Sequence, residues 1–426
     1  MELVVLFGCF AVLLALGVPV AFCLGLSALA TLFYLDIPLI VAFQRMAAGV
    51  DVFALLAIPF FVYAGELMNQ SGIAAKLVRL AESMLGRVRG GLGQVSVLSC
   101  MMFGAVSGSA VAATSAMGSA LTPIMRETGY DDDFAVNVTA TGATTGLLIP
   151  PSHNMIIYSI AAGGSVSILS LFLAGIVPGI LVGLALMAAT YALAMRRGYP
   201  GGSFPGWRPL LAAFISAVPG LLSAVIIVGG ILSGVFTATE SSAIAVVYTI
   251  LVATFVYRSL NWTKFLAATR NAVRTTAIVM LIISTASAFG WLMAVAEVPL
   301  RMSEALLGIT ENPLLLLLIV NVILLILGTF MDMAPLIIIT TPIFLPVTTQ
   351  LGMDPVQFGV VMILNLGIGL VTPPVGSVLF VGCAVGGIPI ERSLRSIWPF
   401  YIAMICVLLL VTAFPQLSLA LPSLFE

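Results

Sequence analysis

"TTGLLIPPSHNMIIY", residues Thr144–Tyr158, sets two adjacent prolines and the only histidine of the chain inside a long apolar stretch. Each proline removes a backbone donor and clashes with the preceding turn, so a membrane or core helix normally avoids the combination. The same break returns in "GIGLVTPPVGSVLFV", Gly367–Val381. "TGATTG" (Thr141–Gly146) and "NLGIG" (Asn365–Gly369) supply flexible backbone just before each diproline. The prolines stop one half-helix and, with φ preset, can open the next. Irregular backbone at membrane depth survives only where it lines a polar cavity or is buried in protein. Both breaks are therefore read as sites.

The surrounding composition makes membrane depth the right frame. Of 426 residues, 61% are hydrophobic and 8% charged, against about 25% charged in soluble domains. Runs such as Leu210–Gly234, Thr275–Val295 and Trp398–Phe414 leave little surface for water. The chain reads as an all-α polytopic membrane protein embedded in the lipid bilayer. A net charge of −1 offers no face for nucleic acid. The five cysteines form no CxxC and read as packing residues. Residues 1–34 lack a basic n-region and are read as retained. Their length is long for one crossing and short for two, and leaves the side of Met1 open.

Aligning the two diprolines gives an offset of 223 residues, which also lays Gly129–Asp131 over Gly352–Asp354. "TPIM" (122–125) matches "TPIF" (341–344) at 219, while Leu67-Met68 matches Leu292-Met293 and Arg45 matches Arg270 at 225. A nearly constant offset points to duplication. Basic residues orient the copies. Lys76, Arg79, Arg87 and Arg89 in one loop face a counterpart, 298–312, with Arg301 against Glu304 and Glu311. The uncharged Gly163–Ser167 loop has a counterpart holding Arg392 and Arg395. Equivalent loops on opposite sides of the membrane would differ in this way, so the repeats are expected to be inverted.

Residues 93–125 are too few for two full crossings and read as a re-entrant helical hairpin with its soft point at Ser107-Gly108-Ser109. A mirror hairpin is expected at 313–349, with its tip near Gly328–Asp332. The expected organisation is a first repeat over 1–196 and a second over 210–426, joined by a cytoplasmic linker at 197–209. The broken helices fall at 134–162 and 356–385.

"SGSAVAATSAMG", "TPIMRETGYD", "GLLIPPSHNMIIY", "GTFMDMAPLIIITTPIFLPV" and "GLVTPPVGSVLF" occur in that order. With them the whole chain resembles the large membrane subunit (DctM-type) of tripartite ATP-independent periplasmic, or TRAP, transporters. The resemblance implies an elevator-type transporter of the bacterial inner membrane that imports an organic acid (such as a C4-dicarboxylate, sialic acid or sugar acid) with sodium. It also implies a small four-helix membrane subunit (DctQ-type) and a periplasmic substrate-binding protein (DctP-type). The chain departs from the family pattern at Ser152-His153-Asn154.

Ser107 and Ser109 at the first tip, Ser152, His153 and Asn154 after the first break, and Asp332 at the second tip are the candidate substrate contacts. A carboxylate at membrane depth costs roughly 2.5–3.5 kcal/mol, so Asp332 needs a ligand or partner. Thr144, Thr145, Gly146, Asn365, Gly369 and Thr372 flank the breaks and offer the hard oxygens that sodium prefers. The resemblance adds the second tip, Gly328 and Thr329, and stresses Gly369 and Thr372. Glu66 and Glu240 read as inter-helix or subunit contacts, and Arg126 and Glu127 with Asp131–Asp133 as a solvated turn. One histidine, no HExxH and no P-loop argue against an enzyme or an ATP-driven pump, and no cofactor is expected beyond sodium as coupling ion. The rival transporter reading is a stand-alone sodium- or proton-coupled organic-anion carrier of a related elevator fold.

Overall fold

The computed structural model describes residues 1–202, 204–308 and 312–425; Glu311 of the acidic loop lies outside them. The first half begins with α1 (Glu2–Ala15) and α2 (Val20–Tyr34), which pack on each other. Residues 1–34 are thus a helical pair, parted at Leu16–Pro19. Next come α3 (Ile40–Val50), a 3-10 turn (Phe53–Leu56), α4 (Ala57–Gln70) and α5 (Ile73–Leu85). A hairpin follows, α6 (Gly91–Ser107) and α7 (Ala110–Glu127), then the broken helix α8 (Asp132–Ala143) and α9 (His153–Ala161). The half closes with α10 (Ile168–Arg197).

The second half runs through α11 (Trp207–Leu232), α12 (Ala238–Leu251), α13 (Trp262–Val295) and α14 (Val298–Leu307). Its hairpin is α15 (Pro313–Phe330) and α16 (Met333–Gln350), and its broken helix is α17 (Pro355–Gly369) and α18 (Ser377–Gly386). Then come α19 (Ile390–Leu394) and α20 (Trp398–Ala413). Among the described residues seven helices are long and apolar enough to cross a membrane. The only β-pairing among them is an isolated bridge, Arg89 to Gly201.

Both halves repeat one order of elements, and their turns repeat too. Left-handed residues recur in pairs: Asp36 with Arg258, Gly72 with Glu297, and Gly129 with Gly352. Both diprolines contain a cis peptide bond. The halves differ where α3 and α4 are separated by the 3-10 turn, whereas α13 runs unbroken for 34 residues. One sequence match shifts. Helices α7 and α16 each have 18 residues and start at 110 and 333. Pro123 therefore stands opposite Pro346, and the TPIM/TPIF match is out of register by four residues, about one helical turn.

Helices α2, α3, α4 and α12 pack around α13 or α4 and form a scaffold. The hairpins and broken helices pack among themselves, with α18 against α7 and α8, and α15 against α17. Polar contacts tie the two halves of that second group together. Asn137 on α8 is fully buried; its amide donates to the Ser393 carbonyl at 3.0 Å and to Ser396 Oγ at 2.9 Å, while Ser393 Oγ donates to Asn137 Oδ1. Losing a buried partner leaves the others unsatisfied, at about 1–3 kcal/mol each. Asn137→Ala is therefore expected to lower the thermal midpoint of the detergent-purified protein by several degrees. An unchanged midpoint would show that the halves are joined by apolar packing alone.

The segment read as a solvated turn is instead a network. Arg197 pairs with Asp131 at 2.9 Å and Asp133 at 3.0 Å. Arg126 pairs with Asp132 at 2.7 Å and donates to the Gly386 carbonyl at 2.9 Å. Tyr199 donates to Asp131 at 2.7 Å, and burial pushes its hydroxyl up to about 12, so it remains a neutral donor. The charges are close in sequence but find their partners through the fold. Glu240 forms a capping box with Thr237 at the start of α12 and, among the described residues, no hydrogen bond or ion pair to another helix.

Candidate functional site

A cavity of about 430 Å³ lies where the two hairpin tips meet the first break. Ser107, Ser109, His153, Asn154 and Asp332 all line it. The tips of both hairpins, Ser107–Ser109 and Asp332–Met333, thus meet at one cavity. Three helices begin at the cavity wall, since Ala110 and Ala112 of α7, His153 and Asn154 of α9, and Met333 and Ala334 of α16 line it. The opposite wall comes from the scaffold, through Glu66 and Asn69 of α4 and Asn271 and Thr275 of α13.

The candidates divide by their hydrogen bonds. Ser109 Oγ accepts from Ala112 N at 3.3 Å and caps α7. Ser107 is buried at the end of α6, its Oγ 3.5 Å from Ser109 N. Asp332 stands at the equivalent N-cap position of α16, but its side chain makes no capping bond and is exposed to the cavity. His153 has no side-chain hydrogen-bond partner among the described residues, and its ring lies beside Gly108 at the first tip. Ser152 is not brought to the cavity wall. It is fully buried, and its Oγ has no partner among the described residues. Ser377 at the start of α18 has an equally orphaned hydroxyl.

The residues flanking the breaks lie behind this cavity. Thr144 and Thr145 are buried and donate to the Thr141 and Gly142 carbonyls at 2.7 and 2.6 Å. Thr372 donates to the Ile368 carbonyl at 2.7 Å. Each hydroxyl has spent its proton on the backbone and presents only lone pairs, which suits a cation. Thr329 Oγ1 donates to Ile326 O, and its carbonyl accepts from Val375 N at 3.0 Å, so the second tip is seated on the second break. Asn365 donates to both Asn321 oxygens at 2.8 Å, and its own Oδ1 is buried without a partner among the described residues. The two breaks touch, with Gly367 of α17 against Thr144 and Leu147.

Close approach of backbone to backbone fixes each break. Gly146 lies against Gly104 of α6, and Gly369 lies against Gly328 of α15. Sequence reasoning finds three of these glycines and misses Gly104. The repeat offset comes within one residue of finding it, because a shift of 223 carries Gly104 to Leu327, next to Gly328. Glu66 is also missed as a cavity residue, since nothing in an apolar run tells which way a lone carboxylate faces.

The family model of the tripartite ATP-independent periplasmic transporter, DctM component, matches residues 7–417. The chain belongs to that family. It is 46% identical over 99% of its length to the "uncharacterized protein YgiK" of Salmonella typhimurium, covering 98% of that protein. It is 40% identical to the sialic acid TRAP transporter large permease protein SiaM of Vibrio cholerae, over 97% of this chain and 96% of that one. The 2,3-diketo-L-gulonate large permease YiaN of Escherichia coli is 37% identical over 98% of both. Among solved structures, the YdaH transporter of Alcanivorax borkumensis superposes with a TM-score of 0.60 at 14% identity, covering 91% of this chain and 89% of that one. The fold is thus that of an elevator-type transporter with two inverted repeats. This DctM-family chain is a multi-pass permease of the inner membrane and not an enzyme.

Proposed function

We propose that the protein imports an organic acid across the bacterial inner membrane, coupled to sodium, as the large permease of a three-part system. The observation that carries the anion is the convergence of helix N-termini on one cavity. Unsatisfied amides and the positive dipole end at each terminus attract a carboxylate. Helix α16 has its own Asp332 at that end and Ser109 Oγ already takes the Ala112 amide of α7, so the terminus without a side-chain cap is that of α9, with the first amides of α7 beside it. The named substrates of SiaM and YiaN are acids as well.

Sodium coupling rests on the oxygens behind the cavity. Hydroxyls of Thr144, Thr145 and Thr372, with the orphaned amide oxygen of Asn365, surround irregular backbone in which no fixed cation stands among the described residues. The substrate is handed over by a periplasmic binding protein, and a small membrane subunit completes the permease, as the family's three-part name leads one to expect.

Uptake measured in proteoliposomes that contain both membrane subunits and the binding protein tests this reading. An inward sodium gradient is expected to drive accumulation of radiolabelled acid, and a potassium gradient is not. Equal uptake without sodium would remove the coupling ion from the scheme. Robust uptake by this chain alone would favour a stand-alone carrier.

A further inference from the structure

We infer that Glu66, held by Asn271 on the scaffold wall of the cavity, is a specificity residue that turns away a second carboxylate. The substrate is then a monocarboxylate with a hydroxylated, uncharged body. This inference rests on the organic-acid reading above and narrows it.

The cavity is electrically lopsided. One side carries the uncapped N-terminus of α9 beside the first turn of α7, which welcomes one negative group. No Lys or Arg is found among its described lining residues, whereas Glu66 and Asp332 are. Glu66 Oε2 accepts from Asn271 Nδ2 at 3.3 Å, across helices whose residues lie 205 apart in sequence. That bond joins α4 to α13 and fixes where the carboxylate points.

A bound acid has one end at the helix termini and the rest facing the scaffold wall. A hydroxyl there donates to Glu66 or Asp332 and meets the amides of Asn69 and Asn271, both donor and acceptor. A second carboxylate there meets the like charge of Glu66, with no Lys or Arg among the described lining residues to pair with it, and like-charge juxtaposition is how a site rejects a competitor. Coulomb repulsion is not heavily screened in a half-buried cavity.

Matched pairs of acids test this directly. Gluconate and glucarate share one polyol chain and differ by one carboxylate, as do galactonate and galactarate; sorbitol is the neutral control. Ligand-induced thermal shifts are measured on the purified membrane complex in sodium, with N-acetylneuraminate included as a larger monoacid. The wild type is expected to respond to monoacids and not to their diacid partners. In Glu66→Gln the diacid-to-monoacid affinity ratio should rise about tenfold or more, and Glu66→Asp should keep the discrimination. A Gln side chain still reaches Asn271, so a merely structural role would leave that ratio unmoved. Wild-type binding of a diacid as tightly as its matched monoacid overturns this inference and spares the organic-acid reading. A response to sorbitol but to no acid, or to none of the ligands, overturns both.

Discussion

Gly369→Ala is expected to reduce sodium-driven uptake by about tenfold or more, while Gly328→Ala, across the same contact, should be milder. A Cβ built on Gly369 would lie 2.6–2.7 Å from three backbone atoms of Gly328. Backbone cannot swing aside as a side chain does. The reverse substitution is less crowded, with the nearest atom at 3.3 Å. The difference arises because each Cβ leaves its helix in its own direction, so one contact has a blocked face and a tolerant one. Overpacking of this kind costs about 1–3 kcal/mol. Here the displaced segment carries Thr372 and the carbonyls of the break, and a ligand shell fails when its oxygens move by more than about 0.5 Å. In the first half, Gly146→Ala and Gly104→Ala are both blocked by the partner glycine's backbone and should both be severe. Uptake by the four variants, normalised to folded protein, checks the ranking. Gly328→Ala proving worse than Gly369→Ala would mean that the contact works differently in the transporting protein.

Much of this arrangement is legible in the sequence because it repeats. Two diprolines at one offset, each with a glycine-rich approach, are enough to locate both breaks. What periodicity cannot supply is partnership. Pro123 aligns with Pro342 because "TPIM" and "TPIF" look alike, yet equal hairpin arms set Pro123 against Pro346. A four-residue slip keeps the same helix face, so hydropathy cannot detect it. Ser152 has the composition of a ligand contact, but it is fully buried, and its neighbours His153 and Asn154 reach the cavity instead. Arg126 and Asp131–Asp133 look like solvent-facing charges, because Arg197, which pairs with Asp131 and Asp133, lies 66 and 64 residues from them, and Gly386 and Arg392, which meet Arg126 and Asp132, lie 260 away. Glu66 faces the cavity only because α4 and α13 pack together, a contact between elements that no local pattern records.

Asp332 can be assigned by the bond it does not make. It occupies the N-cap of α16, the place that Ser109 holds at α7, Asn312 at α15 and Asp354 at α17. Each of those three side chains accepts a hydrogen bond from the second or third amide of its helix; the Asp332 carboxylate makes no such capping bond, has only the first amide of α16, that of Met333, and opens onto the cavity. No ion-pair partner of Asp332 is found among the described residues either. A charge left in that condition at membrane depth marks a functional group, and both a substrate hydroxyl and an approaching sodium would stabilise it. Asp332→Asn separates capping from charge, because asparagine caps a helix about as well as aspartate and has nearly the same shape. If capping were its role, the variant would behave as wild type. If the charge matters, losing one charge-assisted hydrogen bond costs about 1.5–3 kcal/mol, and uptake should fall roughly tenfold to a hundredfold. Asp332→Glu, which keeps the charge but moves it by one methylene, should lie between the two. Because the carboxylate also draws the cation, the sodium concentration for half-maximal uptake should rise in Asp332→Asn, as linkage between the two ligands requires. Uptake within about threefold of wild type, with an unchanged sodium dependence, would reduce Asp332 to a polar residue at a helix end.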